Sequence, residues 1–124
     1  MKKTGKNPLY KSFGYAFEGI FAGIRGERNM KIHCLAVVCV VIAGTVFHIS
    51  ITEWCICLLL FGLILSLELV NTAIEAVVDL VTEDKKPLAK LAKDTAAGAV
   101  LIAAVMAAVA GFLIFIPKLV SCLK

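Results

Sequence analysis

Long uncharged runs separated by short charged segments dominate the chain. Residues 34–52, 54–67 and 95–117 contain no Lys, Arg, Asp or Glu. The second run continues into further apolar sequence interrupted only by isolated acids. Apolar stretches of roughly 20 residues are what helices need to cross a hydrocarbon core of about 30 Å. Three spanning helices are predicted, over residues 29–49, 54–81 and 88–117. Residues 8–28 keep a different rhythm. Leu9, Phe13, Phe17, Ile20, Phe21 and Ile24 recur at three- and four-residue intervals, while Lys11, Ser12, Glu18 and Arg25 avoid that stripe. This is the pattern of an amphipathic helix lying in the membrane interface, as an anchor or as a surface that captures lipid.

The connections have their own signals. Residues 1–7 read as a basic tail, and Pro8 suits the start of the surface helix. Gly14, Gly19, Gly23 and Gly26 weaken that helix but permit close approach to a neighbour. Residues 48–53 form the outer turn, followed by Trp54 as an interface anchor. Residues 82–86 form an inner polar loop, after which Pro87 opens the third span. The small residues Ala96, Ala97, Gly98 and Ala99 favour tight packing at its inner end, and Pro117 is expected to stop it. No small-residue cleavage pattern opens the chain, so the N-terminus is expected to stay attached.

Composition makes this an integral membrane protein, all-α and one domain by its 124 residues. Hydrophobic residues make up 60% and charged ones 18%, too apolar for an ordinary soluble globule. Charge then sets the orientation. Seven basic residues precede the first span (Lys2, Lys3, Lys6, Lys11, Arg25, Arg28, Lys31) and four lie between the second and third (Lys85, Lys86, Lys90, Lys93), so eleven of the thirteen share one side. That side is the cytoplasmic one, which places the N-terminus inside and the C-terminus outside. The net charge of +4 follows from this asymmetry and gives no reason to invoke nucleic acid. The five cysteines are scattered through apolar sequence and read as packing residues. His33 and His48 lie at opposite boundaries and read as interfacial residues.

The exception to the apolar rule lies in the second span. Glu68, Asn71, Glu75 and Asp79 occupy one otherwise apolar stretch, and helical periodicity puts the three carboxylates within about 40° of one another. A central acid costs about 2.5–3.5 kcal/mol on insertion scales, so a stripe of them marks a face that works on something polar. From Trp54 to Glu68 is roughly 21 Å, which puts Glu68 in the inner half of the bilayer. It is a candidate proton acceptor for a hydroxyl held near the interface. Glu75 and Asp79 approach the cytoplasm. Together with Glu27, at the start of the first span, they offer hard oxygen ligands for a divalent cation such as Mg²⁺, although for Asp79 alone pairing with a loop lysine is the favoured role. Lys93, Asp94, Lys85 and Lys86 lie at the water-facing exit, with cations suited to phosphate. No P-loop and no kinase Gly-rich loop is present. From the residues alone, a membrane enzyme, a proton- or cation-conducting protein and a non-catalytic membrane partner stay open. The outer half of the second span supplies almost no polar residues for a conduction path.

The run Glu68-Leu-Val-Asn71-Thr-Ala-Ile-Glu75-Ala-Val-Val-Asp79, followed by Ala92-Lys93-Asp94 and an Ala/Gly-rich third helix, resembles the prokaryotic diacylglycerol kinase family. Gly26-Glu27-Arg28-Asn29-Met-Lys-Ile-His33, Ser66-Leu-Glu68-Leu and Lys86-Pro87-Leu-Ala-Lys90 resemble its Gram-positive branch, whose members phosphorylate undecaprenol. The resemblance implies a small homotrimer that moves the γ-phosphoryl of ATP to a lipid hydroxyl with Mg²⁺, diacylglycerol being the alternative acceptor. It implies Glu68 as general base beside the lipid substrate and Glu27 and Glu75 as metal ligands. Tyr15, Asn71, Asp84, Lys85, Lys86, Lys93 and Asp94 would lie around the nucleotide. Three helices from one chain make a thin bundle that would leave Glu68 partly facing lipid, so the site is expected to be shared between subunits at the plasma membrane.

Overall fold

The structure is a computed structural model that describes residues 7–124; the basic tail expected at the N-terminus lies, up to residue 6, outside the described residues. Four helices follow in order: α1 (Leu9–Gly26), α2 (Arg28–Val46), α3 (Ile51–Val81) and α4 (Pro87–Leu123). The last three are long and apolar enough to cross a membrane. α1 is shorter and leaves most of its apolar stripe exposed, including Leu9, Phe13, Phe17 and Phe21. An exposed aromatic stripe on an amphipathic helix is the surface an interfacial helix presents to lipid.

Each spanning helix turns one heptad-like seam inward. On α2 the seam is Met30, His33, Val37, Val40 and Gly44; on α3 it is Cys57, Phe61, Ile64, Glu68, Asn71, Glu75 and Val78; on α4 it is Ala96, Val100, Ala103, Ala107 and Ile114. The alternation of three and four residues keeps these positions on one helix face. α4 packs chiefly on α3, and α2 packs on α3 from the other side. Small seam residues on α4 let the two longest helices lie close over most of their length.

At one end the core is Ile49, Cys57 and Ile114, flanked by Val40, Phe47, Trp54, Phe61 and Phe115. The phenyl rings of Phe47 and Phe115 meet edge to face with centroids 6.3 Å apart. The α2–α3 turn is tighter than the sequence suggests. Ser50 accepts from the backbone N–H of Glu53, and the Glu53 carboxylate accepts from the Ser50 N–H. This reciprocal cap starts α3 at Ile51 rather than at Trp54, because it satisfies two donors that the first turn would otherwise leave open. Trp54, expected as a free interface anchor, is half-buried and lies over Gly44.

Gly44 therefore has a packing role. A Cβ there would stand 2.7 and 2.9 Å from ring atoms of Trp54 and 3.0 Å from Ile49 Cδ1. The rigid indole must move to admit a methyl, so Gly44→Ala is expected to destabilise by about 1–3 kcal/mol. Gly62, with open space around its would-be Cβ, is the control: Gly62→Ala should be neutral or mildly stabilising. Thermal unfolding in detergent micelles separates the two. An unchanged midpoint for Gly44→Ala would remove the packing account.

The far end of α4 departs from expectation. Pro117 does not stop the helix, which runs on to Leu123. An interior proline removes a backbone bond and costs roughly 3 kcal/mol, but side-chain contacts hold this end in place. Lys118 Nζ lies 3.1 Å from Glu53 Oε1, and Phe115 packs on Phe47. The one-residue break at Glu27, by contrast, is abrupt. Glu27 is extended (φ −112°, ψ 121°) and caps α1 and α2 at once, so the surface helix ends at Gly26 rather than at residue 28. Close to this hinge Gly23 meets α3, where a Cβ would sit 2.5 Å from Leu69 Cδ2. Of the four glycines expected to permit close approach on α1, Gly23 does so; Gly14, Gly19 and Gly26 have open space.

Candidate active site

The inner half of the α3 seam is where buried side chains turn from apolar to polar. Glu68 is 1% exposed and Asn71 6%. Glu75 is half-buried, and Asp79 is exposed because it lies one position off the seam, which Val78 continues. The stripe thus climbs from interior to water over about 16 Å of helix. A single chain already encloses Glu68, contrary to the expectation that it would partly face lipid. The seams of α2 and α4 cover it because Met30 fills the α2 side at 2% exposure and Ala96 and Val100 admit α4 closely.

The polar contacts at the bottom of the stripe are few. The Thr72 hydroxyl donates to the Glu68 carbonyl at 3.0 Å, and Asn71 Nδ2 donates to Glu75 Oε1 at 3.4 Å. His33 Nε2 lies 3.6 Å from Glu68 Oε2. Among the described residues, neither Glu68 Oε2 nor Asn71 Oδ1 has a hydrogen-bond partner. Leaving such groups unsatisfied costs about 1–3 kcal/mol each, more if charged. Both atoms keep unused acceptor capacity in the interior of the bundle.

The sequence suggests an interfacial His33; the structure places it beside the deepest acid instead. Two signals in the sequence point there. His33 continues the α2 seam at three residues from Met30 and four from Val37. It also lies 14 residues below Phe47 on α2, as Glu68 lies 14 below Trp54 on α3. Antiparallel helices joined by a short turn place such positions at the same depth, roughly 21 Å from the turn.

A second polar group surrounds the α3–α4 turn. Asp84, Lys85, Lys86, Lys90, Lys93 and Asp94, with Val78 and Thr82, line a cavity of about 640 Å³. The backbone N–H of Asp84 donates to the Thr82 hydroxyl at 3.1 Å. Lys93 Nζ donates to Asp79 Oδ1 at 2.5 Å, so the partner of Asp79 is a lysine of α4 and not of the loop. Lys90 pairs with Asp94. Such solvent-screened pairs contribute little and a polyphosphate can displace them. Tyr15 is an exposed residue of α1 and lines neither this cavity nor the seam. One chain therefore presents two groups, the Glu68–Asn71–Glu75 seam and the basic cavity, with Asp79 and Lys93 bonded across from α3 to α4.

Among the described residues, no three His, Cys, Asp or Glu side chains cluster around a metal position. Two carboxylates nevertheless suit Mg²⁺, which takes one or two protein carboxylates and completes its shell with water and substrate phosphates. Glu27 and Glu75 are the acids close enough to Glu68 to repel its charge, and both are half-buried. Their donor chemistry fits the ion.

Fold and site together define a polytopic helical membrane protein with a buried acid at the foot of a polar seam and a basic cavity beside the seam's upper end. The pattern of the family described as Prokaryotic diacylglycerol kinase matches residues 14–115. The chain belongs to the prokaryotic diacylglycerol kinase family, and is a lipid kinase with ATP as co-substrate. A Bacillus subtilis protein named undecaprenol kinase is 51% identical over 113 residues, covering 91% of this chain and 92% of that one. A diacylglycerol kinase of Synechocystis sp. is 41% identical over 114 residues, 91% of this chain and 65% of its own length. A diacylglycerol kinase of Escherichia coli is 29% identical over 106 residues, 86% of this chain and 87% of that one.

Proposed function

We propose that the protein is an undecaprenol kinase of the plasma membrane, with its N-terminus and the basic loop on the cytoplasmic side. The observation that carries this reading is Glu68, 1% exposed and reached along a polar stripe from the water-facing end of α3. The 51% identity to the B. subtilis undecaprenol kinase supports the choice of lipid. Diacylglycerol is the second reading, favoured by the names of the other two relatives.

In this reaction the lipid hydroxyl oxygen attacks the γ-phosphorus of ATP. The bond from that phosphorus to the β–γ bridging oxygen breaks, and ADP leaves. Glu68 accepts the hydroxyl proton as the new P–O bond forms. Asn71 orients the reacting groups through its free amide oxygen and steadies Glu75 through its nitrogen. Lys85, Lys86 and Lys93 neutralise phosphate charge, Asp84 and Asp94 shape the nucleotide cavity, and Tyr15 closes over the nucleotide. Mg²⁺, held by Glu27 and Glu75, would neutralise charge on the phosphate oxygens. Positioning and charge neutralisation supply most of the catalysis in phosphoryl transfer, so a scaffold without a P-loop is sufficient.

A homotrimer belongs to the same reading. Glu68 does not require a partner for burial, but Tyr15 lies away from the cavity of its own chain, and a neighbouring subunit offers a way to bring the two together. A conduction path is disfavoured by the apolar core of Ile49, Cys57 and Ile114, which leaves no polar continuation across the outer half.

Purified protein in mixed micelles, given ATP, Mg²⁺ and either undecaprenol or a diacylglycerol, tests the choice. The expected result is phosphate transfer to undecaprenol at the higher kcat/KM. Preference for diacylglycerol selects the second reading. Transfer to neither lipid removes both.

A further inference from the structure

We propose that His33 is the proton-accepting partner of Glu68, the group that clears the buried acid after each turnover. The proposal rests on the reading of Glu68 as general base in the phosphorylation of undecaprenol. Every phosphoryl transfer leaves one proton on Glu68, taken from the lipid hydroxyl. At 1% exposure that carboxyl meets solvent only along the polar stripe that the substrates occupy, yet it must be ionised again before the next hydroxyl arrives.

His33 Nε2 stands 3.6 Å from Glu68 Oε2, and its side chain is 18% exposed; it lies five residues into α2 from Arg28, near the basic inner end, so the imidazole joins the acid to the inner interface. It also lines the inner end of an apolar cavity of about 230 Å³ between α2, α3 and α4. The alternatives can be counted element by element. α3 offers Glu75, and the α1–α2 hinge offers Glu27. Both are acids that repel the Glu68 charge, and both are committed to the metal in the reading above. α4 covers this depth with Ala96, Val100 and Ala103, and α1 approaches with Gly23; none of these titrates. Lys31 on α2 is exposed and off the seam. An imidazole is a stronger base than a carboxylate in water and changes charge near neutral pH.

The step balances without a further reagent. The proton passes from Glu68 Oε2 to His33 Nε2, leaving carboxylate and imidazolium. Rotation of the ring turns Nε2–H towards its exposed edge, water takes the proton, and the starting tautomer returns. His33 thus acts through Glu68 and does not touch the phosphate.

The test compares wild type, His33→Gln and His33→Ala in the undecaprenol assay, with thermal unfolding of each in detergent. Glutamine retains polarity and similar volume but accepts no proton at working pH. Expected is a fall in kcat of about tenfold to a hundredfold in both variants, within the range ascribed to a positioned acid–base group. KM for ATP should stay near its wild-type value. Added imidazole should restore part of kcat in His33→Ala, where truncation leaves room, and none in His33→Gln. A wild-type kcat in His33→Gln overturns the proposal, and so does a fall in His33→Ala that imidazole does not relieve. Absence of transfer by the wild type strikes the undecaprenol reading instead.

Discussion

Glu68→Gln should leave a folded protein that transfers phosphate about 10²–10⁴ times more slowly, the range associated with a lost general base. The substitution changes one atom at the centre of the bundle. Glutamine has the shape of glutamate, so the seam formed by Ile64, Glu68 and Asn71 stays filled, and the Thr72 hydroxyl still finds the backbone carbonyl it bonds at 3.0 Å. A buried charge disappears with it, which favours stability if anything. The amide cannot accept the lipid's proton, so kcat should fall, while the affinity for ATP, which the proposed site assigns to the cavity at the α3–α4 turn, should be retained. Single-turnover transfer from ATP to undecaprenol, with nucleotide binding measured separately, distinguishes the two effects. A variant with wild-type kcat would show that Glu68 is a helix-packing residue. Loss of ATP binding in step with kcat would show that its role is in holding the nucleotide.

Most of the architecture is legible because membrane helices are governed by two simple requirements. Their backbone must bond internally, and their length must match the bilayer. The number of spans and the loop at residues 82–86 follow from these alone. The α3 stripe is legible for the same reason, since an acid is conspicuous where most neighbours are Leu, Ile, Val or Ala. Features decided by local chemistry are harder to read. The reciprocal cap of Ser50 and Glu53 looks like ordinary polar linker until both hydrogen bonds are seen. Pro117 ends a helix by the usual rule, and here the Lys118–Glu53 pair on the neighbouring turn keeps the chain helical beyond it. His33 is lost to a different cause. Histidine near a charged segment suggests the interface, and only the depth match between α2 and α3 reveals that it faces Glu68. The enclosure of Glu68 within one chain depends on how closely α4 approaches, which is set by Ala96 and Val100 together and by no single residue.

The seam also shows which polar groups are present for work rather than for the fold. Lys93 and Asp79 join α4 to α3, and Lys118 and Glu53 do so at the other end. Both pairs are self-satisfied, partly exposed contacts whose removal should cost the fold little. Asn71 is different in kind. It is nearly as buried as Glu68, and half of its amide is unused.

Asn71→Leu is therefore expected to separate stability from activity. The Asn71 side chain is 6% exposed. Its nitrogen donates to Glu75 at the long distance of 3.4 Å, and its oxygen has no partner among the described residues. In an apolar surrounding such a group costs roughly 1–3 kcal/mol, and leucine of similar size removes that cost. Thermal unfolding in detergent should thus be unchanged or raised. Phosphoryl transfer should fall by about 10²-fold or more, the loss typical of removing one placed polar group from a water-excluded site. Glu75 loses its tether at the same time, so the Mg²⁺ concentration needed for half-maximal rate should rise. Asn71→Asp gives the opposite combination: the oxygen is kept, but a second buried carboxylate one helical turn from Glu75 repels it, and stability falls. A destabilised and fully active Asn71→Leu protein would identify Asn71 as a helix-association residue. A stable and inactive one would mean that this position has been kept polar, against the preference of the bilayer, by the reaction it serves.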